Sequence, residues 1–162
     1  MKNNSIYIGI DPGLSGAIAI IYPSQIEILP IPIAGKEIDV SAIVHWLRTT
    51  QMDDFYPLAH IEKVSAFPGQ GVSGMFKFGF VTGVLHGIFR TLEVPLYTVT
   101  PQAWKKEILA GTDKSKQAAI DYCLRAYPNV ELFRTKKSRT YDSGMADALC
   151  IAEYCRRKHS VL

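Results

Sequence analysis

The first apolar run, Ile6-Tyr7-Ile8-Gly9-Ile10, is β-branched or aromatic at nearly every position and reads as a strand covered on both faces. It ends in Asp11, turns through Pro12-Gly13-Leu14-Ser15-Gly16 and re-enters as a second apolar run from Ala17 to Tyr22, the pattern of a hairpin. Ile26 to Ile31 predicts a third, antiparallel strand whose prolines place its end at a sheet edge. Residues 32–38, with Pro32 and Gly35, read as a loop. A helix then begins at Asp39 or Ser41, with Ser41 as its cap and Ala42, Ile43, Trp46 and Leu47 as its apolar stripe. Residues 57–62 form a short strand that, like the first, terminates in an acid, Glu62.

A glycine-rich loop over residues 63–74 leads into a helix from about Ser73 to Leu92. Its three- and four-residue spacing picks out Met75, Phe76, Gly79, Phe80, Gly83, Val84, Gly87 and Ile88. The three glycines make a smooth ridge, which suits close packing in the core or a seam between two copies; core is the first expectation. Residues 94–99 predict another strand. Thr100-Pro101 supplies the cap and first-turn proline of a helix running to about Leu109. The next helix is expected from Lys114 to Tyr127. A basic connector over residues 129–140 follows, and then a final helix from about Ser143 to Lys158.

The 162-residue length suits one α/β domain with a sizeable core, spanning residues 1–162. A formal charge of +3 is mildly basic, and its distribution carries more information. Lys105-Lys106, Lys114, Lys116, Arg134, Lys136, Lys137, Arg139 and Arg156-Arg157-Lys158 all lie in the second half, which is where an acidic partner would be met. Cys123, Cys150 and Cys155 lack zinc-finger spacing and read as core thiols of a reducing compartment. The amino-terminal residues show no signal-peptide pattern, and no run of about 18 apolar residues is evident, so a soluble cytoplasmic protein is expected, with no membrane partner. The 63–74 loop has no G-x-G-x-x-G, which disfavours a dinucleotide-binding dehydrogenase.

An aspartate at the end of an apolar strand either caps its turn with local N–H groups or holds a cation. The recurrence of an acid at Glu62 favours the cation, because strand ends of an open α/β sheet converge on one rim. His60, two residues earlier, shares the face of Glu62 and reads as a structural or supporting residue. Asp147, set between Ala146 and Ala148 early in the last helix, is a third candidate, and Asp142 just before that helix a fourth. Carboxylates gathered in one cleft repel one another unless hard cations compensate them, and an all-oxygen set suits Mg²⁺ or Mn²⁺. Two such ions about 4 Å apart activate water and stabilise the leaving oxygen in phosphodiester hydrolysis. Lysines at a helix start, here Lys114 and Lys116, either meet phosphate together with the backbone N–H groups or form a solvated end. Phe67 either stacks on a base or caps the core.

Taken in order, Ile8-Gly9-Ile10-Asp11-Pro12-Gly13 with Gly16, Ile61-Glu62 before Pro68-Gly69-Gln70, Pro101 with Trp104-Lys105-Lys106, the 111–116 segment and Ala146-Asp147-Ala148-Leu149 resemble the RuvC-like Holliday junction resolvases, including bacteriophage forms. These belong to the ribonuclease H-like superfamily. The resemblance spans nearly the whole chain. It implies a five-stranded mixed β-sheet flanked by α-helices, and a homodimer that binds four-way or branched DNA. It also implies metal-dependent hydrolysis that leaves 5′-phosphate and 3′-hydroxyl ends. Asp11, Glu62 and Asp147 match the family's metal ligands. Its fourth ligand lies three or four residues before the last acid, where this chain has Gly144 and Ser143. Asp142 can serve if the helix begins after it. Lys105, Lys114 and Lys116 resemble phosphate-contacting positions, with Lys116 offsetting charge during the reaction, and Phe67 resembles a base-probing aromatic. Gln70, Lys106, Arg134, Lys136, Lys137 and Arg139 complete the expected DNA-binding set. The alternatives are a nuclease of RNA–DNA hybrids or flaps and a branched-DNA-binding protein that does not cleave. Sugar kinases and related ATPases share a similar opening, but the chain is too short for their second, nucleotide-binding domain.

Overall fold

Five strands make the sheet of this computed structural model, which describes residues 4–160 apart from 51, 64, 66–68 and 70. β1 (Ser5–Asp11), β2 (Ala17–Ile21) and β3 (Ile26–Pro30) form the antiparallel meander that the hairpin pattern predicts. Residues expected as a loop instead contain a small hairpin, β4 (Ile33–Ala34) and β5 (Glu37–Ile38). Its pairing of Ile33 with Ile38 is closed around Gly35, whose φ of +65° suits glycine. α1 (Val40–Thr49) is capped by Asp39 rather than Ser41, the Asp39 carboxylate accepting from Ala42 N at 3.0 Å.

β6 (Tyr56–Glu62) and β7 (Leu96–Val99) add in parallel, giving the order β3-β2-β1-β6-β7. This is the expected five-stranded mixed sheet. Between them runs α2 (Val72–Thr91), and α3 (Pro101–Ile108), α4 (Lys116–Ala126) and α5 (Ser143–His159) follow. Thr100 and Pro101 start α3 as predicted, Thr100 Oγ1 accepting from Ala103 N. α4 begins later than expected. Ser115 caps it, and Lys114 sits before it with a φ of +57°, outside the helix.

Strand alternation sorts the core into two layers. Ile6, Ile8, Ile10, Ile18, Ile20, Ala59 and Ile61 pack with Ile43 and Leu47 of α1 and with Val81, Leu85, Ile88 and Phe89 of α2. On the other face Tyr7, Ala17, Ala19 and Ile21 meet α3, α4 and α5 through Trp104, Ile108, Ala119, Cys123, Leu149 and Ala152. Cys123 and Cys150 lie 3.7 Å apart as free thiols within that layer, and Cys155 is also buried there. The buried Glu153 carboxylate is satisfied by Tyr127 Oη at 2.6 Å and by Arg156 and Arg157.

α2 departs from its expected packing. Of the spaced set from Met75 to Ile88, only Ile88 is buried, while Val72, Phe76 and Phe80 are exposed by 80%, 74% and 50%. A Cβ added at Gly79, Gly83 or Gly87 would meet open space, so the glycine ridge does not face the core. The helix is apolar almost all round, so periodicity could not choose its inner face. By length and composition it is also apolar enough to cross a membrane, contrary to the expectation that no such run exists. In the fold, Val81, Leu85, Ile88 and Phe89 hold it against the sheet.

Candidate active site

The parallel pairing of β1 and β6 brings their carboxyl ends to one rim. The last paired rung is Ile10 with Ile61, and one residue further each strand carries an acid, Asp11 and Glu62. Both follow residues of the face that packs on α5: Tyr7 and Gly9 precede Asp11 in alternation, and Leu58 and His60 precede Glu62. α5 lies directly on β1 because position 9 has no side chain; a Cβ there would overlap the Ala148 carbonyl and the Ala152 N–H. That contact sets Asp147, the residue before Ala148, beside the strand ends. Among the described residues its buried Oδ1 has no hydrogen-bond partner.

Asp11 and Asp147 are each raised by neighbouring acids as well as by burial. Burial pushes the Asp11 carboxyl up to about 7, and Glu62, Asp147 and Asp142 push in the same direction against the pull of Arg134. Burial raises Asp147 to about 6, with Lys105 and Lys116 opposing and Glu62 adding to the rise. Glu62 is also raised by burial, opposed by Lys105 and by a 2.6 Å hydrogen bond from Trp104 Nε1 to its Oε2. Partly desolvated carboxylates, two of them raised further by neighbouring acids, form a site in want of positive charge. The oxygen-only donors and the orphaned Asp147 Oδ1 fit a hard divalent cation.

Asp142 stands at the Ncap of α5, so the helix begins after it. Its Oδ1 accepts from Met145 N at 2.9 Å and from Arg134 Nη2 at 3.2 Å, and its Oδ2 accepts from Arg134 Nε. Burial works against its ionisation, but Arg134 and the Met145 N–H outweigh it and hold the carboxyl below its ordinary value. Arg134 Nη2 also donates to the carbonyls of Ser15 and Gly16, tying the helix start to the turn after Asp11. Arg134, expected among the DNA contacts, is therefore engaged inside the protein. At position 144, three residues before Asp147, an acid is sterically excluded, because a Cβ there would overlap Ser15 O.

The expected basic residues divide by place. Lys105 and Lys116 act electrostatically on Asp147, and Lys105 Nζ also lies 5.3 Å from the Trp104 ring centroid. Lys106 and Lys114 are exposed, as are Lys136, Lys137 and Arg139 on the segment between α4 and α5. Phe67 and Gln70 lie outside the described residues. His60 shares the strand face of Glu62 but stacks on Tyr97 at 5.4 Å and meets His159 and Tyr154 instead of the acids. Sequence reasoning assigned no partner to Trp104 and missed the Arg134–Asp142 pair. A cleft of about 900 Å³, lined by Tyr22, Ile26, Tyr127 and Phe133 among others, opens elsewhere, between the β2–β3 turn and the segment after α4. Asp11, Glu62 and Asp147 are not among the residues that line it.

No protein-family model matches the chain, and no curated protein sequence does. Among solved structures the fold is the ribonuclease H-like fold of the RuvC-like Holliday junction resolvases. Thermus thermophilus RuvC, solved in complex with a Holliday junction substrate, superposes with a TM-score of 0.62 at 16% identity, over 91% of this chain and 90% of that one. The yeast mitochondrial Holliday junction resolvase Ydc2 gives 0.57 at 13% identity, over 96% of this chain and 78% of that one. Fowlpox virus resolvase, in complex with its substrate Holliday junction DNA, gives 0.50 at 13% identity, over 94% and 99%. At these identities the likeness is one of fold.

Proposed function

We propose that this chain is a divalent-metal-dependent endonuclease that resolves four-way DNA junctions by paired phosphodiester hydrolysis and also cuts simpler branches. The observation that carries this reading is the convergence of Asp11, Glu62 and Asp147 on one rim of a resolvase-like fold, each with its carboxyl raised by burial and two of them by their neighbours. Asp11, Glu62 and Asp147, with Asp142 as a fourth ligand, would hold two Mg²⁺ ions, or Mn²⁺ in their place. Bound there, the ions supply an activated water and charge compensation at phosphorus. Water adds at phosphorus as the bond to the 3′-oxygen breaks, leaving a 5′-phosphate and a 3′-hydroxyl. Lys116 offsets charge on the phosphoryl group, while Lys105, Lys106, Lys114, Lys136, Lys137 and Arg139 meet neighbouring phosphates. Phe67 and Gln70 would contact DNA near the junction centre.

Symmetric cutting needs two subunits. The exposed apolar face of α2, with Phe76, Phe80 and the ridge of Gly79, Gly83 and Gly87, supports a homodimer seam. The test is cleavage of end-labelled junction, flap and RNA–DNA hybrid substrates, with metal omission and mapped cut sites. Symmetric, metal-dependent nicks on the junction that vanish in Asp11→Asn support the proposal. Unchanged cleavage by Asp11→Asn overturns the site, preference for hybrid or flap replaces the substrate, and binding without cuts in either metal identifies a non-cleaving junction binder. Asp142→Asn is expected to raise the Mg²⁺ requirement. Near-normal turnover at limiting Mg²⁺ would exclude Asp142 as a ligand.

A further inference from the structure

At the opposite end of α5 from the acids, His60 of β6 meets Cys155 and His159, which lie four residues apart and so share one face of the helix. One ligand atom of each, two imidazole nitrogens and the Cys155 Sγ, lie within 4.8 Å of one another. His60 is 7% exposed and Cys155 fully buried. Among the described residues, His60 Nδ1 and His159 Nε2 are both buried without a hydrogen-bond partner. Cys155 is a free thiol that donates to the Leu58 carbonyl at 3.3 Å. Tyr97 covers the cluster, its ring 5.4 Å from His60 and 5.0 Å from His159.

Packing alone accounts for the stacked rings but not for two orphaned nitrogens in one cluster. A buried polar atom left unpaired forfeits its hydration with no return, and native interiors rarely tolerate it. A cation shared by the two imidazoles and the thiolate would supply the missing partners. We propose that His60, Cys155 and His159 form a second metal site that binds zinc, separate from the acidic site and independent of the nuclease reading. Two imidazoles and a thiolate are a borderline-soft set that selects zinc over Mg²⁺ or Ca²⁺. Tetrahedral zinc, with Zn–N of about 2.0 Å and Zn–S of about 2.3 Å, holds its ligand atoms roughly 3.3–3.7 Å apart. The cluster therefore needs to contract by about 1 Å, and His159, half-buried on the last residue of α5, is free enough to supply the movement. On binding, the Cys155 S–H bond breaks, its proton leaves to solvent and a zinc–sulfur bond replaces it; water takes the fourth position. The ion would pin β6, two residues before Glu62, to the carboxyl-terminal end of α5, remote from Asp147.

The test is titration of the full-length, metal-free protein with Co²⁺ under reducing conditions, followed by displacement with Zn²⁺. The expected result is one equivalent of Co²⁺ showing a thiolate-to-metal charge-transfer band, displaced by Zn²⁺ but not by excess Mg²⁺. Zn²⁺ should also raise the Tm. Loss even of an outer-shell partner typically costs 10–100-fold in affinity, so Cys155→Ser and His159→Gln should each abolish the band and weaken binding by at least about 100-fold. Glu62→Gln should retain the band. His159→Gln, at a helix end, keeps the test decisive if Cys155→Ser fails to fold. Absence of the band with the intact chain overturns the proposal. So does a band that survives Cys155→Ser, which would belong to the Cys123–Cys150 pair, or one that disappears in Glu62→Gln.

Discussion

Asp11→Asn should stabilise the metal-free protein at the same time as it abolishes cleavage. The Asp11 carboxyl stands at about 7 against an ordinary 3.8, so its ionised form is disfavoured in the fold. At about 1.4 kcal/mol per pH unit, that difference corresponds to roughly 4 kcal/mol. Part of the repulsion is shared with Asp147 and Glu62 and relaxes when any one acid is neutralised, so the amide should recover about 2–4 kcal/mol. The sign follows from proton binding. Between pH 3.8 and about 7 the native state holds a proton that the unfolded chain has released, so stability falls as pH rises through that window and levels off above it. Asp147, raised to about 6, deepens the same decline. Urea unfolding in EDTA from about pH 4.5 to 8.5 measures this directly. The wild type should lose stability toward pH 7. Asp11→Asn should show a shallower decline and exceed the wild type near pH 8, and Mg²⁺ should narrow the gap by stabilising the wild type alone. A variant no more stable than wild type near pH 8, or a wild type that gains stability between pH 5 and 8, would refute the reasoning.

Gly9→Ala puts a Cβ against the backbone of Ala148 and Ala152, so α5 must lift from β1. The expected cost is about 3 kcal/mol or more in urea unfolding, with loss of cleavage as Asp147 moves from Asp11. Trp104→Phe keeps the buried ring but removes the 2.6 Å bond to Glu62. Stability should fall by about 1.5–3 kcal/mol, and the cleavage–pH profile should shift upward as Glu62 loses a group that favours its charge. Phe80→Asp, at a half-exposed position on α2, should abolish self-association in sedimentation velocity while changing unfolding free energy by about 0.5 kcal/mol or less. A variant that remains dimeric would remove α2 from the proposed seam.

Local chemistry made much of the site legible. An apolar strand that ends in an acid can be read at Asp11 and again at Glu62, and parallel pairing follows from a helix-containing connection. Asp147 could be read because an acid among alanines and leucine has no packing role. The Thr100-Pro101 start of α3 was equally local. Asp142 was less legible: as the residue before a helix it has the ordinary role of a cap, which it performs, and its pairing with Arg134 depends on how a loop folds back. The start of α4 shifted because Ser115 is the better cap, while Lys114 takes a left-handed backbone conformation.

The amino-acid sequence by itself determined the strand order of events along the chain, the acids at strand ends and the basic character of the second half, because these depend on neighbours one to four residues away. Only the tertiary structure decided which face of α2 is buried, since a helix apolar all round has no preferred side until the sheet selects one. Only it joined Trp104 to Glu62, Arg134 to Asp142 and the turn after Asp11, and His60 to Cys155 and His159. Each of those contacts depends on how closely a helix or loop settles onto the sheet. At α5 that distance is set by a missing side chain, Gly9, whose effect falls on a residue more than a hundred positions away.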